Sequence, residues 1–265
     1  MAALLDTNVY LSRWPARRLP ADETPQLVAR LKAHDVTEVW AGSFDALLHR
    51  DIGGINARLA AECQMHGGGM LIPFGTVNPM LPDWEEDLRR CVAVHKMPGI
   101  RLHPNYHGYA LDDPRLAKLL DLAAASKLLV QIAVRMEDPR TQHKLLTVPD
   151  VDPTPLVTLL PKLPPLRVQL LNAMTSVRPD LIDKLIAAGN VSVELAMLEG
   201  INGITKLLAH VPQERVLFGS YFPFYACEAA KLKLQESALG EVQRAAIASG
   251  NAMFLAGTKP GPGVP

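Results

Sequence analysis

Asn8-Val9-Tyr10-Leu11-Ser12-Arg13-Trp14-Pro15 follows the first short apolar run of the chain and contains no glycine. An open doubly wound sheet needs a glycine-rich turn at this point, where backbone and helix N-terminus approach a phosphate. A bulky, glycine-free connection suits a closed parallel barrel instead, in which the first loop carries side chains to the mouth. Working outward, apolar and β-branched runs at residues 3–8, 36–42, 70–78 and 99–103 predict four strands. Those at 128–134, 166–172, 190–196 and 215–220 predict four more. Helix-period stretches follow each of them, at 24–34, 52–66, 82–95, 114–126, 153–163, 179–188, 203–210 and 226–236. Eight strands, each followed by a helix, predict the α/β class and a (β/α)8 TIM barrel. An extra C-terminal helix, about 240–255, is expected to pack outside it. The barrel domain is expected to span 1–257, with 258–265 a flexible Gly/Pro-rich tail.

Composition narrows the function. Lys plus Arg and Asp plus Glu both number 27, so the formal net charge is zero. A neutral chain has no long-range field to hold phosphate backbones or anionic lipid, so neither nucleic acid nor membrane is expected as a partner. Low net charge is compatible with homo-oligomerisation. No signal-like leader opens the sequence and no apolar run is long enough to span a bilayer. The three cysteines, Cys63, Cys91 and Cys227, are far apart and odd in number, as expected of buried thiols in a reduced, cytoplasmic protein.

Several stretches together carry a family resemblance. They are Asp6-Thr7-Asn8-Val9-Tyr10, Gly99-Ile100-Arg101-Leu102-His103-Pro104-Asn105-Tyr106-His107, Arg215-Val216-Leu217-Phe218-Gly219-Ser220-Tyr221-Phe222-Pro223, and Gly250-Asn251-Ala252-Met253-Phe254-Leu255. From Asp6 to about Gly257 the chain resembles the amidohydrolase-related family, the barrel-shaped metal-dependent hydrolases and decarboxylases. The resemblance implies a metal at the strand ends, held by His, His, His, His and Asp. The corresponding places here hold Asn8, Tyr10, Gln131, Asn172 and Tyr221. Amides and neutral phenols are poor ligands for zinc-like ions. The resemblance therefore implies a member whose metal ligands are replaced, and no cofactor is expected; a divalent metal, zinc, is the alternative.

The remaining polar residues at strand ends form the candidate site. Arg101, His103 and Glu194 are the expected catalytic groups: a guanidinium to hold a substrate carboxylate, an imidazole and a carboxylate to move protons. Asn8, Tyr10, Asn78, His107, Gln131, Asn172 and Tyr221 are expected to bind and orient the substrate. If a metal site has been relocated, His103 and His107 are its expected ligands, with Glu194 or His143 as a third. The expected function is that of an amidohydrolase-like hydrolase or lyase acting on a small carboxylate- or amide-bearing molecule. The alternative is a non-catalytic descendant that binds a small ligand or regulates a partner. Residues 135–152, the longest irregular segment, would lie over this site.

Overall fold

Among the described residues, 3–257 of a computed structural model, eight parallel strands follow one another in the expected order. They are β1 Leu4–Leu11, β2 Val36–Ser43, β3 Leu71–Pro73, β4 Gly99–Leu102, β5 Leu129–Ala133, β6 Arg167–Leu171, β7 Asn190–Glu194 and β8 Val216–Leu217. Hydrogen bonds join them as two runs, β1 to β3 and β4 to β8. Single parallel bridges, Val9 with Phe222 and Gly75 with Ile100, close the two runs into a TIM barrel. The segment expected as the tail, 258–265, lies outside the described residues.

Six strands are shorter than expected, β3 and β8 by the most. β3 is regular only over Leu71–Pro73, although Phe74 N still donates to Ala41 O at 2.8 Å and Gly75 bridges Ile100. β8 stops at Leu217 because the next amide groups go elsewhere: Phe218 N donates to Ile247 O and Ser220 N to the Asp6 carboxylate. β1 is longer than expected and carries a register shift between Asp6 and Val9. The Asn8 amide, displaced from the ladder there, donates to Asp6 Oδ1 at 3.1 Å.

The helices follow the expected periodicity. Helix Trp84–Ala93 buries Trp84, Leu88 and Cys91 on one face and places Glu85, Glu86 and Asp87 in its first turn, against the positive end of its dipole. Helix Pro114–Ala125 starts on proline and is capped by Asp113, which accepts from Arg115 N. The stretch 153–163 departs from expectation: only Leu156–Leu159 is α-helical, followed by a 3-10 turn at Leu160–Lys162. Pro153, Pro155 and Pro161 remove donors too often for a longer helix.

The C-terminal helical stretch, Glu241–Ala245 through a wide turn to Asn251–Ala256, corrects the expectation of a helix packed outside the barrel. Ala252 and Leu255 pack with Leu5, Trp40, Phe74, Leu129 and Leu217, closing the apolar interior at the strand starts. Asn251 Nδ2 fastens it by donating to the carbonyls of Gln213 and Val216. No helix of the described residues is long and apolar enough to cross a membrane.

Candidate active site at the barrel mouth

Above the apolar floor, the barrel interior turns polar. Thr7, Arg101, Gln131 and Gln169 are wholly buried and satisfy one another. Arg101 donates from Nε to Gln131 Oε1 at 2.8 Å, from Nη1 to Val9 O at 2.7 Å, and from Nη2 to the carbonyls of Trp40 and Thr7 at 2.9 and 3.3 Å. Gln131 Nε2 donates to Thr7 O and Gln169 Oε1, and Gln169 Nε2 to Thr7 Oγ1. Gly42 makes room for this: a Cβ there would lie 2.8 Å from both Arg101 Cδ and Nη1.

A second polar layer gathers three predicted residues. Asn8 Nδ2 donates to Asn172 Oδ1 at 2.8 Å and to Glu194 Oε1 at 3.1 Å. Asn172 N also donates to Glu194 Oε1, and Ala196 N to its Oε2. Asn172 reaches this position with φ of 57°, a left-handed conformation asparagine tolerates. Burial pushes the Glu194 carboxyl above its ordinary range, opposed by these three donors. Asp6, beside them, accepts from Ser220 N, Ser220 Oγ and Asn8 N, and burial raises it to about 7.

The top layer is apolar. Tyr10, Trp14, Phe44, Met136 and Tyr221 pack together with Phe224, the Tyr10 and Phe44 rings stacked at 4.6 Å. Tyr221 OH donates to Met136 O at 2.6 Å. His103 lies at the edge of this layer. Its Nε2 is 3.0 Å from Tyr10 OH, while its buried Nδ1 has no hydrogen-bond partner. Burial, with His107 and Arg101 nearby, holds the imidazole well below its usual pKa, so it is neutral at pH 7. His103 lines a cavity of about 10 Å³ with Asn105, Tyr106, Met136, Gln142 and Pro149, room for about one water molecule. A cleft of about 600 Å³ near Leu4, Asp35 and Arg244 lies at the strand starts, the end opposite the mouth.

The structure thus brings together Asn8, Asn172 and Glu194; Arg101 and Gln131; and Tyr10, His103, His107 and Tyr221. His107 is 5.8 Å from His103 between ring centroids and binds Ala46 O through Nε2 at 2.8 Å. Asn78 does not join them: its Oδ1 accepts from Met80 N in a local turn. Arg101, expected as a substrate-carboxylate clamp, spends its donors on three main-chain carbonyls and Gln131, the geometry of an internal brace. Asp6, Thr7, Gln169 and Ser220 were not predicted as site residues. A glutamine at 169 and a threonine at 7, each within a buried strand, were the available signals.

The family model described as Amidohydrolase matches residues 12–255. No curated protein matches the sequence. Solved structures do, at low identity. A 2,6-dihydroxybenzoate decarboxylase from Rhizobium is 14% identical, with TM-score 0.70, covering 97% of this chain and 99% of its own. A dihydroxybenzoic acid decarboxylase from a Polaromonas species, with bound manganese and the inhibitor 2-nitroresorcinol, is 15% identical, with TM-score 0.68 and 97% of each chain covered. A 5-carboxyvanillate decarboxylase from Novosphingobium aromaticivorans, also with bound manganese, is 12% identical, with TM-score 0.75 and 97% of each chain covered.

The manganese in two of these structures corrects the expectation that no cofactor belongs here: a divalent metal, not its absence, is what this fold carries in those neighbours. The side chains at the family's ligand places do not offer the donors such an ion takes, although Asp6, His103 and Glu194 lie in the same interior. Asn8, Gln131 and Asn172 offer amides, Tyr10 and Tyr221 neutral phenols, and Arg101 brings a cation of its own. His103 and His107, the expected ligands of a relocated site, have no third His, Cys, Asp or Glu donor gathered with them among the described residues. Among the described residues, three His, Cys, Asp or Glu donor atoms come within 4.8 Å of one another only at His34, Cys227 and Glu228, away from the mouth. The barrel topology and the family match over residues 12–255 nonetheless agree, and the chain belongs to the amidohydrolase family.

Proposed function

We propose that the protein is an enzyme of the lyase or hydrolase type that acts on a small carboxylate-bearing molecule, a hydroxybenzoate-like acid, at the barrel mouth. The observation that carries this reading is His103: a neutral imidazole, fixed at Nε2 by Tyr10 and left without a partner at Nδ1, beside a cavity under residues 135–152. The tautomer with its proton on Nδ1 lets Tyr10 OH donate to Nε2. In a decarboxylation, His103 Nδ1–H would deliver its proton to the ring carbon bearing the carboxylate, and the C–C bond would break to release carbon dioxide. In the same step Nε2 would take the Tyr10 O–H proton, so that no imidazolate forms, and the phenolate would regain its proton from solvent. Burial raises the Tyr10 phenol to about 12, but the Arg101 guanidinium lies 4.4 Å from the ring centroid and favours the phenolate that forms. Glu194, Asn8 and Asn172 would position the strand ends around the reacting group. Asn105 and Gln142, whose amides now hold carbonyls of Pro149, Asp150 and Val148, would meet the substrate carboxylate once that segment moves.

The test is carbon dioxide release and ultraviolet loss of substrate across a panel of hydroxybenzoates and their amides, with and without added manganese. His103→Ala should lower kcat by about 10²–10⁴, as loss of a proton-transfer group does, with Tyr10→Phe intermediate. Equal turnover in wild type and His103→Ala would overturn the assignment. One observation favours a second reading, a ligand-binding protein without turnover: apart from Asn8 Oδ1 and His107 Nδ1, the other polar groups of the ring satisfy one another, as in a packed core. Saturable binding of a panel member with no product would select it.

A further inference from the structure

Helix Thr24–Ala33 ends against the start of helix Cys227–Glu236, and three side chains of different ligand chemistry meet there. His34 Nε2 lies 3.0 Å from Glu228 Oε1, and Cys227 Sγ lies 3.3 Å from Glu228 Oε2. One donor atom from each of the three residues fits within 4.8 Å of the others. Cys227 is buried, whereas the His34 and Glu228 side chains are 26% and 25% exposed. The thiol forms the floor of this cluster and the other two its open rim.

We propose that His34, Cys227 and Glu228 bind a zinc ion, at a site separate from the barrel mouth. Zinc takes imidazole nitrogen, thiolate sulfur and carboxylate oxygen at about 2.0–2.3 Å in tetrahedral array, which spaces the donor atoms roughly 3.3–3.6 Å apart. The 3.3 Å between Cys227 Sγ and Glu228 Oε2 is already at that spacing, and the His34 ring, now 3.0 Å from Oε1, has to turn from that oxygen toward the other two donors to complete the set. On binding, the Cys227 S–H bond breaks, an S–Zn bond forms and the proton leaves to solvent. Water would fill the fourth position from the open rim. A thiolate and an imidazole together select zinc over magnesium, calcium or manganese, which prefer oxygen donors.

The surrounding charges are consistent with this arrangement. Arg30 contacts Glu228 Oε1 and leaves Oε2, on the Cys227 side, for the ion. A donor on the free oxygen of a ligating carboxylate fixes its orientation. Lys231, the next cation, is paired with Asp35 at 2.7 Å. The two helices belong to the first and last βα units, which join at the bridge between Val9 and Phe222. An ion held between them would fasten the barrel where its two ends meet.

The experiment uses the full chain, stripped with a chelator and titrated with zinc alone against a chromophoric competitor, then with cobalt(II) as a spectroscopic substitute. One ion per chain should bind, and cobalt should show a thiolate charge-transfer band with tetrahedral visible absorption. Cys227→Ser should abolish that band. His34→Gln, on the exposed rim and compatible with folding, should weaken zinc binding at least about tenfold and remove the zinc-dependent rise in Tm. No cobalt–thiolate band, a band that survives Cys227→Ser, or unchanged affinity in His34→Gln would each overturn the proposal. None of these residues touches the mouth, so the outcome is independent of the enzyme assignment.

Discussion

Asp6 sits wholly inside the barrel with three donors on its carboxylate, yet desolvation outweighs them and raises its pKa from 3.8 to about 7. A carboxyl whose folded pKa lies above its unfolded one holds a proton the unfolded chain has released. Its contribution to stability is therefore complete below about pH 4 and is lost as pH rises through 7. The full swing is on the order of a few kcal/mol. Asp6→Asn keeps an oxygen for Asn8 N or Ser220 N and removes the titration. The difference in Tm between wild type and Asp6→Asn should change steadily from pH 4 to pH 7 and level off above; parallel profiles would sink this account. His103 works in the opposite sense, since its lowered pKa keeps it neutral in the fold, which is why the comparison is a difference between two profiles. At this scale the sequence was informative about which residues face inward and poor about what they do there. Period-two alternation located Arg101, Gln131 and Glu194. That Arg101 spends its donors on three backbone carbonyls depends on Gly42 and on strands 60 to 90 residues away, which no local pattern encodes.

Among the elements, the segment 135–152 decides whether anything reaches His103. It is held by its own pairs, Arg135 with Asp150 and Gln142 with Val148, and from outside by Asn105, whose Nδ2 donates to Pro149 O and Asp150 O at 2.8 and 2.7 Å. Two such bonds, about 0.5–1.5 kcal/mol each, are a large share of the free energy that keeps a surface segment closed. Asn105→Ala should therefore speed amide exchange through residues 135–152 several-fold while leaving β5 and β6 unchanged, read by hydrogen exchange with mass spectrometry. Unaltered exchange would show that Asn105 does not latch the segment. The position of this irregular stretch was legible because it lacks helical or strand period. Its latch was not, because Asn105 belongs to a separate turn after β4. Likewise 153–163 was expected as one helix, although the prolines at 153, 155 and 161 limit it to Leu156–Leu159.

Over the whole molecule, the polar interior is also what closes the barrel. Hydrogen-bonded strands form two runs, β1 to β3 and β4 to β8; between the runs the backbone supplies two isolated bridges and a few further bonds, such as Thr7 N to Phe218 O at 3.0 Å. Side chains span the same gap from inside. Arg101 of β4 donates to Thr7 and Val9 of β1 and Trp40 of β2; Gln131 and Gln169 reach Thr7; Asn8 reaches Asn172 and Glu194; Tyr10 reaches His103. Each contact joins one run to the other, and each is shielded from water by the apolar layers above and below. Arg101→Met keeps much of the volume but removes the donor to Gln131 Oε1 and those to the Val9 and Trp40 carbonyls, while Thr7 O keeps Gln131 Nε2; each buried group left unsatisfied costs about 1–3 kcal/mol. A loss of at least about 3 kcal/mol is expected, measured as a lower urea midpoint with unchanged slope. A guanidinium kept only for a substrate anion would behave otherwise. Its removal would cost affinity and leave the midpoint within about 0.5 kcal/mol of wild type, as substitutions away from structural networks do. The midpoint therefore separates a brace from a binding group at Arg101, a fully buried cation that joins both halves of the barrel.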